Sequence, residues 1–60
     1  MIGWIRRNER GTVRAFCAVE YADPGTLDEL KEEGMIELVE AERITLNREL
    51  PPDSRVLMKL

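Results

Sequence analysis

The sequence contains no histidine and no glutamine, and it has a single cysteine, Cys17. Without histidine, the chain has no imidazole for acid–base catalysis, for metal ligation or for a pH switch. One cysteine excludes an internal disulfide and any thiolate cluster that would hold zinc or an iron–sulfur centre. The single thiol is typical of a protein from a reducing compartment.

Long hydrophobic runs are also missing. The longest unbroken apolar run, Ala15 to Val19, has five residues, whereas a membrane-spanning helix needs roughly 20. Arg6 and Arg7 interrupt the N-terminal apolar stretch too early for a secretory signal. We therefore expect a soluble, cytoplasmic protein that makes no contact with a membrane.

The chain has 60 residues, of which 43% are hydrophobic and 35% charged, and its net charge is −3. This composition predicts one small globular domain over residues 1–60. A chain of this size buries only roughly 60% of the surface that its unfolded form exposes. The free energy of apolar burial then nearly cancels the loss of conformational entropy, which favours self-association.

The first third of the chain has the pattern of a β-hairpin. Met1–Arg7 is short, apolar and rich in strand formers. Asn8–Gly11 is a polar four-residue connection with glycine last, which suits a hairpin loop. Thr12–Tyr21 alternates, so the odd-numbered residues from Val13 to Tyr21 are expected on one face and the even-numbered ones on the other. Both faces are apolar in the middle, as in a central strand.

A turn at Asp23-Pro24-Gly25 is expected to separate this hairpin from a helix. Thr26 and Glu29 match a capping box, which predicts a helix that begins at Leu27. Gly34 is the natural residue to end it. A helix of only about seven to nine residues is unstable alone and must dock on a sheet.

The second half of the chain allows two interpretations. In the preferred one, Met35–Val39 and Arg43–Asn47 are strands. In the other, apolar spacings of three and four carry the helix through Gly34 to about Glu42, at a cost of about 1 kcal/mol for the internal glycine. Residues 50–54, with two consecutive prolines, predict a loop, and Arg55–Leu60 predicts a last strand.

The predicted order is therefore β-β-α-β-β, in a single-layer antiparallel or mixed sheet of four or five strands with one short helix. Such an order resembles a compact β-grasp-like or other small α+β sheet with a helix across one face. The resemblance concerns topology alone, and a fold of this kind does not determine a function.

The sequence offers no constellation of residues that would carry catalysis. Cys17 lies between apolar residues without a histidine partner, which favours a buried small side chain over a nucleophile. The four glycines are isolated and match no phosphate-binding spacing, and the carboxylates follow no calcium-loop pattern. We expect neither an enzyme nor a cofactor, a metal or a small-molecule substrate.

Charge is distributed unevenly along the chain, with a net +2 in residues 1–21 and a net −5 in residues 22–60. The predicted hairpin carries four arginines, which could bind the phosphates of a nucleic acid. These residues are Arg6, Arg7, Arg10 and Arg14. The overall acidity opposes that function, because the acidic remainder would repel the same backbone. Nucleic-acid binding is therefore the alternative hypothesis.

The preferred hypothesis is a small protein-interaction or regulatory protein, acting as a homodimer or as a subunit of a larger complex. A chain too small to cover both faces of its sheet would complete its burial against a partner. The expected apolar anchors are Trp4, Phe16 and Leu57. The acidic half, with Glu37 and Glu40, would complement a basic partner.

Overall fold

The computed structural model describes residues 1–60 as an antiparallel sheet of four strands with one α-helix and one turn of 3-10 helix. The elements are β1 (Ile2–Arg7), β2 (Val13–Ala18), the 3-10 turn (Val19–Tyr21), α1 (Pro24–Lys31), β3 (Glu37–Glu40) and β4 (Arg55–Lys59). The strands lie in the order β2-β1-β3-β4. The predicted α+β class and β-β-α-β-β order are confirmed. The likeness to a β-grasp fold concerns only this order of elements along the chain.

The predicted N-terminal hairpin is present, and Asn8 forms its turn. The Asn8 side-chain oxygen accepts hydrogen bonds from the backbone N–H groups of Arg10 and Thr12, at 3.0 and 2.9 Å. Gly11 follows with a φ of 86°, which an L side chain rarely adopts. Asparagine and glycine thus close the turn for the reasons that the sequence indicates.

A β-bulge changes which residues of β2 share a face. Ala15 pairs with Arg6 and Val13 pairs with Arg7, so Arg14 is an extra residue between two successive pairs. The alternation in the sequence predicted Val13 on the face of Ala15, and this is wrong, because the bulge turns Val13 to the face of Phe16. There the backbone of Val13 bonds to Asn47 and Arg48.

The main core lies on the sheet face that residues 41–54 cover. It comprises four buried residues and three half-buried ones that pack against them: Ile5, Val13, Val39 and Ala41, with Phe16, Ile44 and Leu50. The opposite face carries the buried Trp4 and Ile36, together with α1. Only eight of the 60 residues are buried, so both layers are thin.

Residues 43–47 do not form the strand that the sequence predicts. This segment crosses the core face as an irregular loop, in which Ile44 packs against the core and Asn47 takes a φ of 66°. Of its two apolar side chains only Ile44 packs on the sheet, and Leu46, predicted to face inward, is 53% exposed. The backbone of such an exposed segment can bond to water instead of to a neighbouring strand. Shortly after it, Glu49 forms an isolated bridge with Thr12.

Helix α1 begins earlier than both sequence interpretations predict, and its eight residues agree with the length of seven to nine in the preferred one. The continuation to Glu42 is wrong, because Glu37–Glu40 is a strand between β1 and β4. The start at Leu27 is also wrong. Asp23 is the N-cap, its carboxylate accepting from the backbone N–H of Thr26 at 2.8 Å, and Pro24 occupies the first helical position. No helix of the chain has both the length and the apolar character needed to cross a membrane.

Candidate interaction surfaces

Trp4, the first predicted interface anchor, lies inside the fold. It sits in the middle of β1, paired with Cys17 on one side and Leu38 on the other, and it is only 7% exposed. Its side chain is on the sheet face that carries α1, as the register places it beside Arg6 and opposite Ile5. Trp4 therefore stabilises the monomer and presents no free surface to a partner.

Phe16, the second predicted anchor, is half-buried and packs against the main core. Its ring occupies the space above Gly3, where an added Cβ would lie 2.3 Å from the ring atom Cε2. The absence of a side chain at Gly3 thus makes room for the phenyl ring, an arrangement that stabilises glycine in a sheet. Phe16 thus packs within the chain, and only part of it is exposed.

Leu57, the third predicted anchor, is exposed and belongs to a larger apolar surface on β4. The exposed apolar residues of this last strand and the residue after it are Val56, Leu57, Met58 and Leu60, between 42% and 50% exposed. We call these four residues the β4 surface. No residue of β4 is buried, although every residue of the strand except the bulged Leu57 pairs with β3.

β4 is an edge strand, and the direction of its backbone groups follows from one pair. Ile36 and Leu60 exchange both of their backbone hydrogen bonds, at 3.3 and 2.9 Å. Because these pairs alternate along an antiparallel ladder, Met58 also turns its backbone groups to β3. The N–H and C=O groups of Lys59, between these two residues, then point away from the sheet, toward an edge that no other strand occupies. The alternation ends there, because Leu57 is the extra residue of a β-bulge between the pairs of Met58 and Val56.

Sequence reasoning singled out Leu57 and missed Val56 and Met58. The signal for them was present, because the predicted last strand has apolar residues on both of its faces with only two charged residues between positions 55 and 60. What the sequence does not show is that this strand lies at an edge and that no loop covers it. That depends on the order of the strands.

Glu37, predicted to be an interface acid, forms an ion pair inside the molecule. Arg7 donates to it from Nε and Nη2, at 2.8 and 2.7 Å, in a bidentate arrangement. The carboxylate is nearly buried, with its side chain 11% exposed. The hydrogen bonds from Arg7 lower the pKa of Glu37 against the opposing effect of burial, and the same hydrogen bonds raise the pKa of Arg7.

Glu40, the other predicted interface acid, is half-buried and pairs with Arg55 across β3 and β4. The hydrogen bond from Arg55 lowers the pKa of Glu40, and the positive charge of Arg55 acts in the same direction. Both predicted acids therefore neutralise arginines of their own chain.

The four arginines predicted to bind nucleic acid do not share one surface. Arg6 and Arg7 are neighbours along β1 and so point to opposite faces of the sheet. Arg6 donates to the carbonyl oxygen of Leu30 and to Glu33, while Arg7 is held by Glu37. Two arginines remain exposed, Arg10 in the hairpin turn and Arg14 in the bulge, where Arg14 donates to the Asn47 side chain at 2.9 Å.

Two depressions lie beside the hairpin. The larger, of about 760 Å³, is at the end of the sheet near the hairpin turn and is lined by four basic and three acidic side chains. Its mixed charge gives it no preference for an anion or a cation. The smaller, of about 430 Å³, is a groove between β2 and α1. No group of three or more Asp, Glu or Cys side chains is arranged to hold a metal ion.

Comparison with protein-family models, with curated proteins and with solved structures gives no match for this chain.

Proposed function

We propose that this chain is a non-enzymatic protein-interaction protein that self-associates as a homodimer through strand β4. The observation that carries this proposal is an edge strand whose apolar side chains are exposed on both faces. Exposed edges of this kind are templates for pairing with another chain. Monomers usually blunt or cover such an edge, and this one carries a bulge at Leu57 of the edge strand but no covering segment.

The surface area of the monomer supports the same proposal. Folded monomers of 6.9 kDa expose about 4,000 Å² by the usual scaling with mass, whereas this chain exposes 4378 Å². The excess is about half of the roughly 800 Å² that each partner contributes to a standard interface. A partner on β4 would cover apolar surface that the chain itself leaves open.

A second copy fits the β4 edge in one register. An antiparallel pair centred on Met58 places the outward backbone groups of Lys59 opposite the bulged residue Leu57 of the partner subunit. Centring on Leu57 would instead place Arg55 against a second lysine, and centring on Lys59 would place two lysines together. Like charges directly opposite each other destabilise a sheet. The Met58 register avoids both and continues the sheet across two subunits.

Binding of nucleic acid by the arginine hairpin is the alternative function. It would rely on Arg10 and Arg14, because Arg6 and Arg7 are held by carboxylates. Two exposed arginines would neutralise few phosphates, and affinity grows with the number neutralised.

Sedimentation velocity over a range of protein concentrations tests the proposal. We expect the wild type to form dimers and Met58→Glu to remain a folded monomer, because two carboxylates would face each other at the two-fold axis. Leu46→Glu is the matched control, since Leu46 is similarly exposed, at 53%, but lies in the loop of residues 41–54 and not on β4. It should dimerise like the wild type.

A pair of substitutions at Lys59 tests the role of the backbone. Lys59→Pro removes an N–H that points to the open edge, so it should abolish dimers without removing a hydrogen bond to β3. Lys59→Ala keeps that N–H and should still dimerise. A wild type that stays monomeric at about 1 mM would contradict the proposal, because a dissociation constant above that value corresponds to less than about 4 kcal/mol of binding free energy.

A further inference from the structure

We infer that the groove between β2 and α1 is a second binding site, and that it takes an extended basic peptide segment of a partner protein. This site lies at the sheet edge opposite β4. It goes beyond the proposed homodimer and does not depend on it.

The groove exists because β2 has small side chains on the face that carries α1. Ala15 and Cys17 pair with Arg6 and Trp4, which places them on that face. They leave a space of about 430 Å³ between the strand and the helix, with Leu30 on the helix side. No residue of α1 is buried, and Leu30 is only half-buried, so the helix has apolar surface left to cover.

The edge of β2 beside this groove has free backbone groups. Ala41 donates its N–H to the carbonyl oxygen of Met1, so Met1 turns its backbone to β3 and, by alternation, Trp4 turns its own to β2. Its partner Cys17 therefore faces β1, and the N–H and C=O of Phe16 point outward. The loop at Asn47–Arg48 occupies this edge only at Val13, which leaves the edge open at Phe16.

The charge of the groove selects the ligand. Its helix wall carries three carboxylates, Glu29, Glu32 and Glu33, against one cation, Arg6. Arg6 is held by Glu33 and by the carbonyl oxygen of Leu30, so it neutralises only one of the three. The only other salt bridge on the helix, between Lys31 and Asp28, involves neither Glu29 nor Glu32. The free carboxylates of Glu29 and Glu32 thus face a groove that contains no unpaired cation.

These features together fit a peptide that adds a strand to β2. Its backbone would bond to Phe16, and every second side chain would enter the groove beside α1. Lysine or arginine suits these positions, because the aliphatic stem can lie over Ala15 and Cys17 while the charged head reaches Glu29 or Glu32. The binding mode combines main-chain pairing for affinity with charge complementarity for selectivity.

The test is a titration of the full chain, labelled with ¹⁵N, with a capped peptide of alternating lysine and valine. The control peptide has glutamate in place of every lysine. We expect the lysine peptide alone to shift the amide resonances of residues 15–18 and 26–33, and to slow hydrogen exchange at the Phe16 amide. The affinity should fall by at least about tenfold when the salt rises from about 0.02 M to about 0.5 M, because screening weakens exposed charge pairs.

Charge-reversal variants localise the effect. The double variant Glu29→Lys/Glu32→Lys should bind the lysine peptide at least about tenfold more weakly. The matched control, Glu42→Lys/Asp53→Lys, makes the same change in net charge at exposed residues outside the groove. It should bind within about twofold of the wild type at high salt, where only close charge pairs contribute. Circular dichroism checks that each variant is folded.

Four results would overturn this inference, three of them in binding and exchange and one in the location of the resonance shifts. The first three are equal binding of the two peptides, equal weakening by the two double variants, and binding that leaves the Phe16 amide unprotected. Resonance shifts confined to β4 would also reject the groove as the site. Because Met58→Glu alters only the β4 surface, its binding of the lysine peptide should match that of the wild type. This variant therefore distinguishes a failure of peptide binding at the groove from a failure of dimerisation through β4.

Discussion

Glu37 is the only buried charged residue of the chain, and its carboxylate accepts two hydrogen bonds from Arg7 on the neighbouring strand β1. The bidentate pair with Arg7 joins β3 to β1 at the hairpin end of the sheet, where the apolar core gives way to polar side chains. Charged hydrogen bonds of this kind are stronger than neutral ones, yet removing one partner leaves the other without compensation. Removing one partner therefore costs more free energy of unfolding than the intact pair contributes.

We expect Glu37→Gln to lower the free energy of unfolding by about 1–3 kcal/mol, because it leaves the guanidinium of Arg7 without its counter-charge. Urea unfolding at pH 7, followed by tryptophan fluorescence, measures this change. Glu42→Gln is the control at an exposed carboxylate without a salt bridge, and it should change stability by less than about 0.5 kcal/mol. Equal losses in the two variants would mean that the buried pair contributes nothing of its own.

The same pair sets a pH dependence whose sign follows from the lowered pKa. The unfolded chain releases the Glu37 proton at about its ordinary pKa of 4.5, and the folded chain releases it at a lower pH. The stability from the ionised carboxylate is therefore fully present above that ordinary pKa and is lost as the pH falls through the folded pKa. The stability difference between the wild type and Glu37→Gln should shrink as the pH falls below about 4.5. A difference that stays constant to pH 3 would contradict this linkage.

At the scale of the elements, the start of α1 depends on Asp23, although the sequence pattern indicates Thr26. The pattern of Thr26 followed by Glu29 matches a capping box, but Pro24 pre-sets the helical backbone two residues earlier. Asp23 then becomes the last extended residue and accepts the N–H of Thr26. This backbone hydrogen bond lowers the pKa of Asp23.

We expect Asp23→Ala to reduce the helical signal in circular dichroism and to lower the melting temperature, while Thr26→Ala leaves both nearly unchanged. The reason is that only the first substitution leaves an N–H of the first turn without its acceptor. Because the folded pKa of Asp23 is lowered, this contribution is present above its ordinary pKa of 3.8 and disappears as the pH falls through the folded value. A larger loss of helical signal and melting temperature in Thr26→Ala than in Asp23→Ala would contradict this assignment and support Thr26 as the N-cap.

How far the elements follow from the sequence depends on whether their signals are local. The strands β1, β3 and β4 and the hairpin turn were predictable, because strand formers and the Asn8–Gly11 connection act over a few residues. The bulge at Arg14 was not, since it depends on Val13 bonding to a loop more than 30 residues away in the sequence. The burial of Trp4 was not predictable for a similar reason, because it depends on how α1 and β3 are placed.

At the scale of the whole molecule, the two edges of the sheet differ. The β2 edge is closed at one end by Asn47–Arg48 and is flanked by the acidic wall of α1. The β4 edge has no flanking element, and its open side is apolar. A second copy therefore suits β4, where burial of apolar surface drives association, and a basic peptide suits β2, where charge does.

The thin core connects self-association to stability. With eight of 60 residues buried, the monomer gains little from apolar burial, and a dimer adds burial that the monomer lacks. Whatever binds the folded chain and not the unfolded one raises its apparent stability with concentration. The homodimer should therefore melt at a temperature that depends on its own concentration.

We expect the melting temperature of the wild type to rise by about 3–6 °C for each tenfold increase in protein concentration above the dissociation constant of the dimer. Calorimetry from about 10 μM to about 1 mM measures it. Leu46→Glu should show the same dependence, whereas Met58→Glu should melt at one temperature throughout, since a monomer unfolds without a change in the number of particles. A wild-type midpoint that stays constant across this range would show that β4 pairing adds nothing to the folded state, and the exposed edge would then have to serve a different partner.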